Sequence, residues 1–217
     1  MDETIRTLTV YALPVLFAIT LHEGAHAYAA KFFGDNTAYS QGRMSLNPLV
    51  HVDPLGTILI PILTFAFTPF VFGYAKPVPV EFGRLRNPKR DMAWVALAGP
   101  GANLLMAILW LVFGRLVMFV GIDASFWQSM AQAGIFVNLL IMAFNLLPIP
   151  PLDGGRVVTS MLPHKAAYAF ARIEPYGFFI VLGLLVMRLV GYWLEPVMSI
   201  GALIVNFAAL PFTFFMF

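Results

Sequence analysis

Long apolar segments separated by short polar linkers follow one another along almost the whole chain. Five of them are long and apolar enough for a membrane-spanning helix, which needs roughly 20 residues: 8–33, 92–120, 125–147, 176–193 and 196–217. A sixth apolar segment, at 55–72, is broken by Pro61 and Pro69. The pattern predicts an all-α polytopic membrane protein with about five transmembrane helices plus a re-entrant segment, or alternatively six transmembrane helices.

The composition supports a membrane location. Hydrophobic residues make up 60% of the 217 positions and charged residues 11%, whereas soluble domains carry about 25% charged residues. So few charges cannot cover the surface of a soluble protein, and intrinsic disorder needs the opposite composition. The net charge is only +2 and the basic residues are scattered along the chain, which argues against a nucleic-acid partner. We expect a single integral-membrane domain over 1–217 in the cell membrane, with its N-terminal segment retained because no clear cleavage site follows it.

The first apolar segment carries His22-Glu23-Gly24-Ala25-His26. Histidines at i and i+4 lie on one helical face, where both rings can meet one metal ion, and the glutamate can take a proton from the attacking water. This H-E-x-x-H pattern is typical of zinc hydrolases. Ionisable groups inside a membrane are costly and therefore functional by default. The alternative is a proton relay or hydrogen-bonded cluster in a transporter.

A catalytic zinc site usually needs a third protein ligand. Asp153 is the main acidic candidate, because three prolines at 148, 150 and 151 end the preceding helix and Gly154-Gly155 follows. Neutral histidine and ionised aspartate together form a mixed donor set that suits zinc. The alternative for Asp153 is an N-cap of the next helix.

Three motifs in order resemble the site-2 protease family of intramembrane zinc metalloproteases, in its small branch without a PDZ or CBS domain. They are His22-Glu23-x-x-His26, Ala98-Gly99-Pro100-x-x-Asn103, and Asn145-x-x-Pro148 followed by Leu152-Asp153-Gly154. The resemblance implies one Zn²⁺ per chain and a zinc-site core at about 8–158, with additional C-terminal helices at 176–217.

The resemblance also implies a role for each motif residue. His22, His26 and Asp153 would be zinc ligands, Glu23 the general base, and Asn145 a residue that binds substrate or stabilises the oxyanion. Asn103 is expected to give structural support. The substrates would be transmembrane segments of other membrane proteins, cut in regulated intramembrane proteolysis. A non-proteolytic metalloprotein that binds membrane segments, and a small ion- or proton-coupled transporter, are the alternatives.

One shared zinc also bears on the topology. His22 and His26 lie late in the first span and Asp153 follows the end of the span at 125–147, so both spans must run in the same direction. This favours five spans with a re-entrant segment at 55–72. Ten of the 13 Lys and Arg residues then fall on the side of the site, which predicts a cytoplasmic active site.

Alternating prolines at 77 and 79 leave the N–H groups of Lys76, Val78 and Val80 on one edge of an extended segment. Such a segment can form strand-pairing hydrogen bonds along one edge only. This is expected of a short β-strand or hairpin element that receives an unwound substrate. Tyr74, Lys76, Val78 and Val80 are therefore candidate substrate-binding residues. The alternative is a polyproline linker.

Overall fold

The computed structural model describes residues 3–51, 53–60, 76–121 and 125–211, and in these residues the chain is helical, with no β-strand. The described α-helices are α1 (Glu3–Phe32), α2 (Thr37–Ser40), α3 (Pro88–Val120), α4 (Ser125–Asn145), α5 (Asp153–Met161), α6 (His164–Ala171), α7 (Gly177–Val186) and α8 (Gly191–Ala208). Short 3₁₀ turns lie at Pro48–His51, Phe82–Arg84 and Glu174–Tyr176, and a π-helical turn at Pro54–Leu59.

Four helical segments of the described residues are long and apolar enough to cross a membrane: Ile5–Phe32, Pro88–Val120, Ser125–Asn145 and His164–Val186. The last of these combines α6, a 3₁₀ turn and α7. The prediction of an all-α, multi-pass membrane protein is confirmed.

The three long helices α1, α3 and α4 pack against one another and form the centre of the molecule. Small residues make the close approach possible. Gly134 of α4 lies against the indole of Trp110 on α3, where a Cβ would collide with the ring. Val10 of α1 and Met130 of α4 pack around the same tryptophan. On the outside of this core, α5 packs on α3, and α8 packs on α4.

The predicted boundaries at the C-terminal end were wrong. A single helix was expected over 176–193, but α7 ends at Val186 and α8 begins at Gly191. Between them Arg188 has a positive φ of 59°, a conformation that breaks helical hydrogen bonding. Pro196, the expected start of the last span, lies inside α8.

The expected β-strand at 74–80 is not present in the described residues. Tyr74 lies outside them, and residues 76–81 have no regular secondary structure. The physical reason is that their N–H groups bind other partners: Lys76 donates to the carbonyl of His51, and Val78 and Glu81 donate to side chains. Most of the proposed re-entrant segment also lies outside the described residues, which here end at Ile60 and resume at Lys76.

Candidate metal centre

Three side chains predicted as ligands come together in the interior. The Nε2 atoms of His22 and His26 are 3.1 Å apart, and Oδ2 of Asp153 lies 3.2 Å from the first and 3.3 Å from the second. All three residues are buried. They form the one group of His, Asp or Glu side chains, among the described residues, that could hold a metal ion.

The local structure explains how each ligand reaches the group. His22 and His26 are one turn apart on α1, so their rings project from the same face. Asp153 is the first residue of α5, and its N-cap is Leu152, so the alternative role of Asp153 as an N-cap does not apply. Gly154 and Gly155 let α5 lie directly on the turn after α4, because a Cβ at either position would meet backbone atoms of residues 146–150.

The other ring nitrogen of each histidine faces an oxygen. Nδ1 of His22 is 2.6 Å from Oδ1 of Asn103, and Nδ1 of His26 is 2.7 Å from the carbonyl oxygen of Val95. An amide or carbonyl oxygen only accepts hydrogen bonds, so each neutral ring must donate its Nδ1–H. Each Nε2 therefore presents a lone pair towards the other ligands. Zinc-binding histidines are commonly oriented in this way, by a hydrogen bond from the other ring nitrogen to an oxygen.

The arrangement of these atoms fits a bound cation. Oδ2 of Asp153 is buried without a hydrogen-bond donor, and it faces two ring nitrogens that also present lone pairs. Such a set of acceptors is stabilised by a positive charge between its members.

The spacing is also compatible with zinc. Tetrahedral zinc with bonds of about 2.0–2.1 Å holds its ligands about 3.3 Å apart, and the three observed separations are 3.1–3.3 Å. Space for the ion comes from Gly99 of α3. A Cβ at this position would lie 2.7 Å from Nε2 of His22 and would also collide with Nε2 of His26. The residues present therefore fit a zinc ion.

Glu23 lies next to the first ligand and is half-buried. Its Oε2 accepts a hydrogen bond of 2.8 Å from the backbone N–H of Val78. The segment 76–81 thus lies against the predicted general base. The Val78 side chain is buried beside Ala27 of α1, and Val80 packs near Leu85.

Two residues that sequence reasoning missed hold this segment in place. Arg43 donates from Nη2 to the carbonyl oxygens of Lys76 (3.0 Å) and Pro77 (3.3 Å), and from Nη1 to that of Val50 (2.8 Å). Asp35, almost fully buried, accepts from the N–H of Glu81 at 2.7 Å. An arginine and an aspartate in polar linkers look like ordinary surface residues, so the sequence offers no signal for either.

The structure places two more predicted residues. Asn103 is fully buried and contacts His22, and its structural role stays a prediction. Asn145 is the last residue of α4, and its Nδ2 donates to the carbonyl of Ile141 at 3.0 Å. The second hydrogen of this amide is therefore left for another acceptor, and the role of Asn145 stays a prediction.

Comparison with known proteins places the chain in a family. The profile of peptidase family M50 matches residues 115–187, which include Asn145 and Asp153. The chain is 38% identical over 194 residues to the "Putative zinc metalloprotease YwhC" of Bacillus subtilis, covering 87% of this chain and 85% of the relative. It is 33% identical over 198 residues to the "Putative zinc metalloprotease Rip2" of Mycolicibacterium smegmatis, covering 88% of this chain and 74% of the relative.

A third, archaeal relative is the "Putative zinc metalloprotease MJ0611" of Methanocaldococcus jannaschii, 33% identical over 145 residues, which cover 63% of this chain and 62% of the relative. No solved structure matches the chain. Because the similarity to the bacterial relatives extends over most of both chains, this protein belongs to peptidase family M50, the site-2 proteases, and is a membrane zinc metalloendopeptidase.

Proposed function

We propose that this protein hydrolyses peptide bonds within or next to transmembrane segments of other membrane proteins, as in regulated intramembrane proteolysis. The observation that carries the proposal is the position of the candidate centre. Two of its three ligands and Glu23 belong to α1, a helix long and apolar enough to span the membrane, and the site is buried among α1, α3 and α5. A substrate must therefore enter the helical core to be cut.

In this proposal His22, His26 and Asp153 hold one zinc ion. When bound, zinc supplies a Lewis acid for the scissile carbonyl and lowers the pKa of water towards 7. The lone pairs of the two Nε2 atoms and the unpaired Oδ2 of Asp153 support this assignment. Gly99 leaves the space that the ion and the reacting groups need.

Glu23 acts as the general base. Its carboxylate takes a proton from the water that attacks the carbonyl carbon, and delivers it to the amide nitrogen as the C–N bond breaks. One carboxylate oxygen is held by Val78, so the other is free to reach the water. Asn145 donates its second amide hydrogen to the developing oxyanion.

We further propose that Tyr74, Lys76, Val78 and Val80 line the path of the substrate. The contact between Val78 and Glu23 supports this, because it puts the segment beside the base. The N–H groups of Lys76 and Val78 already have partners within the chain. An extended substrate thus pairs with the remaining backbone groups, or displaces the bond to Glu23 when it binds.

The topology that we propose has a re-entrant segment at 55–72 and a cytoplasmic active site. The N–H of Arg86 donates to the carbonyl of Phe33 at 2.9 Å, and that of Lys76 to the carbonyl of His51 at 2.9 Å. The end of α1 and the start of α3 thus lie on the same face, as do the residues that flank the proposed re-entrant segment. Both contacts support a re-entrant segment that enters and leaves the membrane on the same side. The excess of Lys and Arg predicts that this side is cytoplasmic.

Substitution Glu23→Gln tests the function. It keeps the size of the side chain and removes its basicity, so we expect one zinc per chain as before, while cleavage falls by about 10²–10⁴-fold. Crosslinking to this variant identifies the membrane-protein segments that it binds. The same segments should be cut when they are incubated with the wild-type protein. Glu195→Gln, on exposed α8 surface, is the matched control and should keep full activity. Cleavage by Glu23→Gln at the wild-type rate would contradict the general-base role, and captured segments that the wild-type protein leaves intact would contradict the substrate class.

Substitution Asp153→Asn tests the ligand assignment. It removes the anionic ligand, and we expect zinc content measured by mass spectrometry to fall well below one per chain. Asp91→Asn is the matched control, since Asp91 is also a buried aspartate of the same core but binds the N–H of Asn87. Full zinc content in Asp153→Asn would refute the assignment.

A further inference from the structure

Two asparagines are fully buried between the long helices next to His22: Asn103 on α3 and Asn138 on α4. Amides are expensive to bury in an apolar environment unless each polar atom has a partner. Asn103 belongs to a recognised sequence motif, whereas Asn138 has no role in the function described so far. Its contacts explain why it is there.

The contacts run in one line from α4 to the metal centre. Nδ2 of Asn138 donates to the carbonyl of Gly134 at 2.8 Å, which turns its Oδ1 towards α3. Nδ2 of Asn103 then donates to this Oδ1 at 3.0 Å and to the carbonyl of Ala18 at 3.1 Å. Oδ1 of Asn103 is left facing Nδ1 of His22 at 2.6 Å.

This series of hydrogen bonds determines which nitrogen of His22 carries the proton. Both hydrogens of the Asn103 amide are engaged by acceptors, so the amide cannot rotate by half a turn without losing them. Its Oδ1 accepts only, and His22 must keep its proton on Nδ1 and its lone pair on Nε2. If Asn138 were apolar, one of the two anchors of the Asn103 amide would be lost. A flipped amide would present its NH₂ group to His22 and favour a proton on Nε2, which points into the metal centre.

The second histidine of the centre offers a useful contrast. Nδ1 of His26 faces the backbone carbonyl of Val95, inside helix α3. A helical carbonyl is fixed by the backbone and needs no further support. His22 instead depends on a side-chain amide, whose orientation has to be determined by its own neighbours.

We propose that Asn138 is a positioning residue that acts through Asn103 to fix the tautomer and ring orientation of His22 for zinc binding. The proposal rests on the assignment of His22 as a zinc ligand. Outer-shell partners of metal ligands typically change metal affinity by about 10–100-fold. We expect Asn103→Leu to weaken zinc binding within this range and Asn138→Leu to weaken it by about tenfold.

The experiment is a double-mutant cycle on zinc affinity, measured by competition with a chromophoric chelator on the purified full chain. If Asn138 acts through Asn103, Asn138→Leu should change the zinc dissociation constant less than about twofold in the Asn103→Leu background. Asn138→Asp keeps an acceptor opposite Nδ2 of Asn103 and should bind zinc more tightly than Asn138→Leu. Independent, multiplicative effects of the two leucine substitutions would overturn the proposal.

Trp193→Phe is the control for a merely structural role. It removes another hydrogen bond to α4, from the indole Nε1 to the carbonyl of Ala143 at 2.9 Å, far along the chain from His22. We expect it to lower thermal stability and leave zinc affinity unchanged. If Asn138→Leu behaves in the same way, Asn138 is helix-packing support only.

A measurement on the wild-type protein does not depend on how the variants fold. Imidazole ¹⁵N spectra of the zinc-free protein at neutral pH should show His22 protonated on Nδ1, and protonation on Nε2 would overturn the proposal. Ligand substitutions separate this inference from the proposed function. If His22→Ala leaves zinc affinity unchanged, the ligand assignment fails. If His22→Ala abolishes binding while Asn138→Leu has no effect, only the positioning role fails.

Discussion

The backbone N–H of Val78 donates a 2.8 Å hydrogen bond to Oε2 of Glu23. The bond joins a segment without regular secondary structure to the helix that carries two of the candidate zinc ligands. A carboxylate bound to a backbone N–H is held in one orientation, and hydrogen bonds to charged groups contribute about 1.5–3 kcal/mol. The position of Glu23 therefore depends on residues 55 positions further along the chain.

Val78→Pro removes this donor, and the segment already tolerates prolines at 77 and 79. We expect kcat to fall by about tenfold or more, in line with the loss of one charge-assisted hydrogen bond, while zinc content stays at one per chain. Peptidase assays on a membrane-embedded substrate would measure this. Val78→Ala is the matched control, because it trims the buried side chain but retains the N–H. Equal activities of the two variants would show that the hydrogen bond has no part in catalysis.

Gly99→Ala is expected to abolish zinc binding without unfolding the protein. Its Cβ would occupy the space in front of the ring nitrogens of His22 and His26. Gly101→Ala, two positions along the same helix, is the matched control, since a Cβ there meets nothing within 4 Å. That variant should bind zinc normally and be slightly more stable, by about 0.5–1 kcal/mol. Zinc titration and thermal unfolding separate the two outcomes, and normal zinc binding by Gly99→Ala would contradict the proposed location of the ion.

Gly177→Ala is expected to destabilise the protein from a position outside the site. Gly177 begins α7, and a Cβ there would collide with the carbonyl of Pro150 in the turn before Asp153. Overpacking of this kind costs about 1–3 kcal/mol. Gly183→Ala, in the same helix but with nothing within 4 Å of its Cβ, should leave the thermal unfolding temperature close to that of the wild-type protein. If both substitutions have the same small effect, the contact between α7 and the turn is unimportant.

Periodicity alone predicted several of the helices well. The span expected at 125–147 corresponds to α4 (Ser125–Asn145), two residues shorter at its end, and the span expected at 8–33 overlaps α1 (Glu3–Phe32) up to residue 32. Breaks inside apolar runs were harder to foresee. Gly99-Pro100-Gly101 leaves α3 continuous, in line with the general tolerance of membrane helices for proline and glycine, whereas no proline marks the break at Arg188.

Asn138 illustrates a signal that the sequence does contain. A polar amide in the middle of an apolar span is costly unless it has a partner, so its presence alone points to a buried interaction. Its partner could not be inferred, because Asn103 lies on another helix, 35 positions away. For the contacts of Arg43 with the carbonyls of Lys76 and Pro77, the sequence contains no comparable signal.

The sequence by itself determined that this is a polytopic membrane protein and that His22 and His26 share one face, since both follow from composition and from the period of a single helix. It also singled out Asp153 through the chemistry that a third ligand requires. Only the tertiary structure decided that Asp153 meets the histidines, that hydrogen bonds connect Asn138 through Asn103 to His22, and that the N–H of Val78 binds Glu23. These relationships depend on how side chains of different helices and linkers pack, and local periodicity carries no information about contacts across such distances in the chain.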